Sequence, residues 1–191
     1  MLLAHATLAP SAWVTRFAGL IQPGGSVLDV ACGSGRHLRW LAGQGFRLTG
    51  VDRDGAAVAP LRESAEIVVA DIEQGPWPLA GRRFDAVVVT NYLWRPLLPT
   101  LQQSLADGGV LIVETFGHGQ QHIGKPSRPD FLLQPGDLLA AFAGLRVVAF
   151  EDGFEAAAPR FVQRLAAVRE PAAAGPAAAP PVRYGLDRLA S

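Results

Sequence analysis

The feature that most constrains this 191-residue chain is the segment VLDVACGSGRH at Val27–His37. An aliphatic run typical of a buried strand leads into a glycine turn, and the turn opens a helix. Gly33 and Gly35 allow the backbone to approach a ligand closely, and the start of the helix supplies free N–H groups. A strand, a glycine turn and a helix in this order predict an α/β fold with a ligand at the turn.

The rest of the chain repeats the alternation of strands and helices. Aliphatic runs buried on both faces predict one doubly wound, Rossmann-like α/β domain with a seven-stranded, mostly parallel sheet and a C-terminal antiparallel strand. The predicted strands are Ser26–Val30, Phe46–Val51, Glu66–Ala70, Phe84–Val89, Val110–Thr115, Leu145–Phe150 and Arg160–Arg169, and the predicted helices are Ser11–Leu20, Gly35–Ala42, Ala56–Leu61, Leu97–Leu105 and Asp137–Phe142.

Composition excludes several classes of protein. Hydrophobic residues make up 49% of the chain and charged residues 18%, which excludes a disordered chain. The 17 basic and 17 acidic residues balance, so we expect neither a nucleic acid nor a membrane as partner. Cys32 is the only cysteine, which excludes an internal disulfide and a multi-cysteine metal site. Without a secretory signal or a long apolar run, the chain is expected to be cytoplasmic, as a monomer or homodimer.

The end of the chain differs in composition from the rest. We expect residues 1–170 to form the domain and residues 171–191 to form an Ala/Pro-rich C-terminal tail, disordered or extended up to Pro181. Within Val182–Ser191, the apolar side chains of Tyr184, Leu186 and Leu189 could dock on the domain or on a partner subunit.

Three positions around the glycine turn indicate the class of cofactor. A dinucleotide-binding turn uses G-x-G-x-x-G, but Leu38 occupies the place of the third glycine. Asp29 lies inside the first strand, where a buried carboxylate favours a cation and repels a pyrophosphate. Asp52 closes the second strand, where a carboxylate reaches a ribose diol. S-adenosylmethionine (SAM) satisfies all three, because it carries a sulfonium, an ammonium and a ribose but no phosphate; an NAD-dependent dehydrogenase is disfavoured.

The pattern D-x-x-x-G-x-G, at Asp29, Gly33 and Gly35, resembles motif I of the class I SAM-dependent methyltransferases. The segments PSAWVTRF, NYLWRPLLP and ETFGHGQQHIGKPSRPDFLL resemble small bacterial methyltransferases of the tellurite-resistance-like type. The resemblance implies that Asp52 binds the ribose, that Asp71 and Ile72 meet the adenine, and that Asn91 and Tyr92 lie beside the methyl donor. The cofactor-binding set it implies is Trp13, Asp29, Ala31, Cys32, Gly33, Gly35, Asp52, Arg53, Asp71, Ile72 and Asn91.

The function implied by the resemblance is SAM-dependent methyl transfer to a small-molecule acceptor. The polar loop Phe116–Gln134 follows the fifth strand, and we predict that it is a lid over the acceptor. The candidate catalytic residues are His118, His122 and Tyr92, with a histidine as general base if one is used. Two alternatives stay open: a SAM-binding module without turnover, and a methyltransferase of RNA or protein. A basic stripe of Arg36, Arg39, Arg47 and Arg53 on one surface would favour the second.

Several of these residues also have plainer structural interpretations. Asp29 could bond only to local backbone N–H groups, and Asp52 could cap the following helix. Trp13 could cover the cofactor or simply pack, and Cys32 is better explained as a packing residue than as a nucleophile. His37 is expected to face solvent or to cap. Glu114 with His118 and His122 could in principle bind a metal, but a bound metal is not expected.

Overall fold

Residues 9–171 and 182–186 are described by the computed structural model, and the sheet predicted from the sequence is confirmed in them. Its seven strands run in the order β3-β2-β1-β4-β5-β7-β6. All neighbouring pairs are parallel except those of β7, which is antiparallel to both β5 and β6. The strands are β1 (Ser26–Val30), β2 (Arg47–Asp52), β3 (Glu66–Val69), β4 (Phe84–Thr90), β5 (Leu105–Phe116), β6 (Arg146–Glu155) and β7 (Arg160–Val168).

Short helices connect the strands and begin at recognisable caps. The Ser11 side chain accepts the N–H of Trp13 at the start of α1, and Asp54 accepts the N–H groups of Ala56 and Ala57 at the start of α3. The helices are α1 (Ala12–Phe17), α2 (Arg36–Gly43), α3 (Gly55–Val58), α4 (Leu98–Gln103) and α5 (Asp137–Ala141). Single 3-10 turns lie at Ala18–Leu20, Ala59–Leu61, Arg95–Leu97, Gln120–His122 and Pro129–Phe131.

The strand order creates a crevice at one edge of the sheet. From β1 the chain builds outward through β2 and β3, and then returns to place β4 on the other side of β1. The carboxyl ends of β1 and β4 therefore frame the point at which the order reverses, which is where open α/β sheets bind ligands.

Alternate residues of the central strands fill two separate cores. Leu28 and Val30 belong to the core shared with α4 and α5, whereas Val27 belongs to the core shared with α1 and α2. Because side chains alternate along a strand, Asp29 faces the α1 and α2 side together with Val27. This placement brings the acid of the first strand under the N-terminal helices.

The sequence-based boundaries are wrong at two strands and one helix, and the predicted helices Ser11–Leu20 and Ala56–Leu61 change to 3-10 turns after Phe17 and Val58. β5 begins at Leu105 rather than Val110, because Leu105 pairs with Phe84 before an irregular stretch of the ladder, and the preceding helix accordingly ends at Gln103. β6 continues past Phe150 to Glu155, where its residues are mostly exposed. An edge strand needs no apolar pattern, so hydrophobicity could not reveal this half of β6.

Most of the predicted tail lies outside the described residues, at 172–181 and 187–191. The part that is described, Val182–Leu186, contacts the domain: Arg16 Nε donates to the Leu186 carbonyl at 3.1 Å, and the Tyr184 hydroxyl donates to Glu170 Oε1 at 3.1 Å. None of the helices in the described ranges has the length and apolar character needed to cross a membrane.

Candidate active site

A cavity of about 370 Å³ opens at the carboxyl edge of the sheet, over the point where the strand order reverses. Seven residues predicted from the sequence line it: Ala31, Asp52, Arg53, Asp71, Ile72, Asn91 and Tyr92. The remaining lining residues are Ala70, Glu73, Leu93, Thr115, Phe116, Pro126 and Phe131. The segments after β1, β2, β3, β4 and β5 thus meet in one site, as the carboxyl ends of neighbouring strands must.

The two glycines of the turn are required for different reasons. Both have left-handed backbones, with φ of +52° at Gly33 and +74° at Gly35. A Cβ on Gly33 would meet no heavy atom within 4 Å, so this face of the turn is open, whereas a Cβ on Gly35 would overlap the Leu61 side chain. Ala31 also has positive φ, at +53°, although it carries a Cβ. Gly35 therefore keeps the turn packed against Leu61, and Gly33 keeps its outer face clear.

Asp52 joins the end of β2 to the glycine turn. Its Oδ2 accepts the Gly33 N–H at 2.7 Å and its Oδ1 accepts the Asp54 N–H at 2.9 Å. The side chain that caps α3 is that of Asp54, so the alternative in which Asp52 caps this helix is wrong. Asp52 holds the turn in place and at the same time lines the cavity.

His37 is buried, with 2% of its surface exposed, and not solvent-facing as expected. It lies under α1, where its Nε2 accepts the Ser11 N–H at 3.1 Å. Because Nε2 accepts, the neutral ring carries its proton on Nδ1, which lies 3.9 Å from Asp29 Oδ2. That oxygen is buried and has no hydrogen-bond partner among the described residues. The His37 ring therefore lies between Ser11, which precedes α1, and Asp29 on β1.

Burial shifts the pKa values of both groups toward their neutral forms. It raises the pKa of Asp29 to about 8, with a smaller increase from Asp52 and a decrease from Arg36. It lowers the pKa of His37 to about 4, and Arg36 lowers it further. Near neutral pH, Asp29 is thus largely a carboxylic acid beside a neutral imidazole.

Trp13 and Cys32 do not line the cavity. Trp13 is 4% exposed and packs edge-on against Phe17, with ring centroids 4.5 Å apart. Cys32 is buried in the same core, and burial with the nearby charges of Asp29 and Asp52 raises the pKa of its thiol to about 12. A thiol with this pKa stays protonated and unreactive. Both side chains pack the α1 and α2 side of the sheet, and a role toward the cofactor stays a prediction for each.

The segment after β3 forms a tight turn beneath Tyr92. Asp71 Oδ1 accepts the N–H groups of Glu73 and Gln74 at 2.9 and 3.2 Å. The Tyr92 hydroxyl is buried and has no hydrogen-bond partner among the described residues. Burial, Glu73 and Asp71 all raise the pKa of this phenol, so it stays protonated.

The loop after β5 is held to the domain by buried apolar side chains near its end and by backbone hydrogen bonds. Leu132 and Leu133 are buried, and the Leu133 N–H donates to the Phe116 carbonyl at 3.0 Å. His118 and His122 are exposed, contact the Gln121 amide and do not line the cavity. Their catalytic role stays a prediction, one that requires them to move.

Glu114 belongs to an ion-pair network and not to a metal site. It is 2% exposed and accepts from Arg164 Nε at 2.6 Å and from Arg160 Nη1 at 3.4 Å. Two guanidinium groups therefore bind the carboxylate that would have been a metal ligand. The two histidines proposed as the other ligands lie on the surface.

Of the lining residues not named from the sequence, Phe116, Pro126 and Phe131 belong to the loop predicted to cover the acceptor, and the others lie at or beside the strand ends. Thr115 and Phe116 close β5, so the rule that selected Asp52 and Asn91 could also have found them. Phe131 and Pro126 belong to a segment that sequence reasoning treated as polar throughout. Their signal was the apolar cluster Phe131–Leu133 inside that loop.

Comparison with known proteins gives a consistent result. The family model described as "Methyltransferase domain" matches residues 2–128. No curated protein matches by sequence. Among solved structures, TehB from Haemophilus influenzae is 18% identical with a TM-score of 0.65, over 80% of this chain and 60% of that one. A TehB-like SAM-dependent methyltransferase from Corynebacterium glutamicum is 22% identical with a TM-score of 0.58, over 82% and 86%.

A third similar structure is that of coclaurine N-methyltransferase bound to N-methylheliamine and S-adenosylhomocysteine (SAH). It is 19% identical with a TM-score of 0.57, over 73% of this chain and 48% of that one. This chain therefore spans about three fifths of the length of the Haemophilus protein and about half of the coclaurine enzyme. At these identities the structural likeness shows a shared fold.

Proposed function

The chain belongs to the methyltransferase-domain family, with SAM as its cofactor, and on that premise we propose that its acceptor is a small molecule bound in the cavity between Asp52 and Phe131. The observation that carries the proposal is the cavity itself. It has the size typical of a small-molecule site, and strand ends wall one side while the loop after β5 walls the other.

The residues of this cavity and of the adjoining glycine turn fit SAM. The open face at Gly33 leaves room for a ligand against the backbone, and Asp52 at the end of β2 offers a carboxylate to a ribose. Asp29 lies in the strand that leads to this turn but faces the α1 and α2 core and does not line the cavity, so its contact with the cation of the cofactor stays a prediction. Asp71 and Ile72 after β3 extend the site toward the place proposed for the adenine.

Two of the four arginines that would favour a nucleic-acid substrate lie at opposite ends of one strand. Arg47 begins β2 and pairs with Asp85 at 4.0 Å, whereas Arg53 follows the end of the same strand and lines the cavity. Arg36 Nη2 donates to Thr90 Oγ1 at 3.4 Å. Arg47 and Arg53 therefore do not form one basic stripe, which favours a small acceptor over RNA.

The chain contributes to methyl transfer by positioning and by excluding water. Bound SAM supplies a methyl group on a sulfonium, a good leaving group, so the protein mainly has to hold the acceptor in line with that bond. Phe116, Pro126 and Phe131 offer an apolar wall that displaces water from the acceptor side. Tyr92 adds its side chain to the wall of the same cavity.

The cofactor assignment is tested by the binding of SAH to Asp52→Asn. The substitution removes the charge but keeps an oxygen that can accept the Gly33 N–H. A charged hydrogen bond is worth about 1.5–3 kcal/mol, so SAH affinity in calorimetry should fall roughly 10- to 100-fold. Glu63→Gln, at an exposed residue outside the cavity, is the control and should bind as the wild type does. Unchanged affinity in Asp52→Asn would remove the ribose assignment.

Turnover is tested by formation of SAH from SAM in the presence of small amines, thiols, phenols and carboxylic acids. We expect acceptor-dependent SAH and a methylated product by mass spectrometry. Tight SAM binding without acceptor-dependent SAH would instead favour a binding module, and methylation of RNA or protein alone would favour a macromolecular acceptor.

A further inference from the structure

A second cavity, of about 460 Å³ and widely open to solvent, adjoins the candidate active site and is lined by Lys125, Pro126, Ser127, Arg128 and Phe131. Pro126 and Phe131 also line the active-site cavity, so the two spaces share a wall. We infer that the second cavity binds an anionic group of the methyl acceptor, a carboxylate or a phosphate. The inference rests on the proposed function, because it assigns a chemical class to the acceptor of the same site.

The side chains of this cavity are donors suited to an oxyanion. Lys125 is the only lysine of the chain, and its ammonium group makes no ion pair with any described residue. Arg128 lies 5.1 Å from the centre of the Phe131 ring and donates from Nη2 to Asp130 at 3.0 Å. A guanidinium has five N–H donors, so this exposed pair leaves others available. The Ser127 hydroxyl can add a further donor.

The opposite end of the combined space has the reverse charge. Asp52, Asp71 and Glu73 line the active-site cavity there, against the single guanidinium of Arg53. These carboxylates repel an anion and favour the cationic cofactor. An anionic acceptor is therefore favoured at the Lys125 end, with its apolar part against Pro126 and Phe131 and its nucleophile in the active-site cavity.

The loop that carries the two cations is held in place by buried contacts. Gln120 is 5% exposed; its Oε1 accepts the Phe161 N–H at 3.0 Å and its Nε2 donates to the Lys125 carbonyl at 3.3 Å. Farther along, Arg95 Nη2 donates to the Leu132 carbonyl at 3.0 Å. The backbone at Lys125 is thus tied to β7, and the segment after Phe131 is tied to the turn before α4. Preorganisation of this kind lowers the entropic cost of binding.

The experiment measures the binding of phenyl phosphate and benzoate to the full-length protein saturated with SAH, with benzamide as the neutral probe. Calorimetry or ligand-observed NMR reports the affinities. We expect both anions to bind and benzamide to bind at least tenfold more weakly. Lys125→Gln and Arg128→Gln should each weaken anion binding about tenfold, because each removes a charged hydrogen-bond donor.

Two further variants sharpen the comparison. Asp130→Asn should strengthen anion binding, because it releases Arg128 from its partner. Arg39→Gln, which removes an exposed arginine outside both cavities, should change nothing. Melting temperatures of all variants should stay near that of the wild type, since the side chains concerned are exposed.

The outcomes separate this inference from the proposed function. Failure of the wild type to bind SAH would contradict the proposed function. SAH binding without binding of either anion, or anion binding unaffected in the Lys125→Gln, Arg128→Gln double variant, would overturn the inference alone. A tenfold loss of SAH affinity in Lys125→Gln would also overturn it, because the cation would then hold the carboxylate of the cofactor.

Discussion

Asp29 and His37 are two buried titratable groups whose pKa values move in opposite directions, to about 8 and about 4. Above pH 3.8 the unfolded chain has released the Asp29 proton, while the folded chain keeps it until about pH 8. This group therefore lowers stability as the pH rises toward 8. Below pH 6.5 His37 is protonated in the unfolded chain, whereas in the folded chain it stays neutral down to about pH 4. This group therefore raises stability as the pH rises from 4 to 6.5.

The two effects oppose each other between pH 4 and pH 6.5, and only the Asp29 effect remains from pH 6.5 to pH 8. We predict that the unfolding free energy of the cofactor-free protein falls over this upper range by about 1 kcal/mol per pH unit. Urea unfolding at pH 6.5 and pH 8 measures it. In Asp29→Asn, which keeps the shape of the protonated acid, this fall should vanish. An equal fall in the variant would assign it to other groups.

The burial of Asp29 could be predicted from the sequence, whereas the burial of His37 could not. Asp29 was identified from its position before the glycine turn, and its burial followed from the strand pattern. For His37, eight positions later in the first turn of the helix, the sequence predicts a side chain that faces solvent or caps. Its burial depends on α1 folding across it and donating the Ser11 N–H, a contact between segments that no local pattern contains.

At the scale of the strands, charged residues on three neighbouring strands, β5, β7 and β6, lie side by side in one row. Glu114 on β5 lies opposite Arg164 on β7, and Arg164 lies opposite Glu151 on β6. Arg164 Nη1 donates to Glu151 at 3.0 Å and its Nη2 donates to Glu155 at 2.7 Å. These carboxylates raise the pKa of Arg164 above its ordinary value, despite the opposing effect of burial. The row fixes the register of the reversed strand.

We predict that Arg164→Met destabilises the protein by about 3–5 kcal/mol, because it leaves the buried carboxylate of Glu114 with a single weak partner. Arg82→Met is the matched control. Arg82 also bonds a carboxylate, that of Glu66, but both side chains are about half exposed, so its loss should cost less than about 1 kcal/mol. Chemical unfolding of both variants measures the difference, and equal losses would show that burial does not govern these pairs.

The sequence predicts β1, β2, β3, β4 and β7 within one residue at each end. Of these, β1, β2 and β4 have continuous aliphatic runs that are bounded by turns. The outer half of β6 and the start of β5 were missed, since their exposed residues follow no apolar pattern. The site followed the same rule: residues at strand ends were found, and the contribution of Pro126 and Phe131 depended on how a long loop folds back.

At the scale of the whole molecule, the described C-terminal segment Val182–Leu186 contacts the face of the domain that carries α1. Tyr184 packs against the core shared by α1 and α2, and Arg16 on α1 donates to the Leu186 carbonyl. No residue of this segment lines the cavity over the strand ends. Its contacts therefore bear on the stability of the domain, and the cofactor site is formed without them.

We predict that a chain ending at Glu170 binds SAH as the full chain does but melts at a lower temperature. The lost hydrogen bonds and the packing of Tyr184 together amount to about 1 kcal/mol, which lowers Tm by roughly 2–4 °C in a protein of this size. Tyr184→Ala in the full chain should reproduce part of this loss, while Val182→Ala, at an exposed residue, should not. Calorimetry of SAH binding and thermal unfolding are measured on the same samples. A drop in SAH affinity without a change in Tm would place the C-terminal residues at the cofactor, and an unchanged Tm with unchanged affinity would mean that the contacts of Tyr184 and Arg16 contribute nothing to folding.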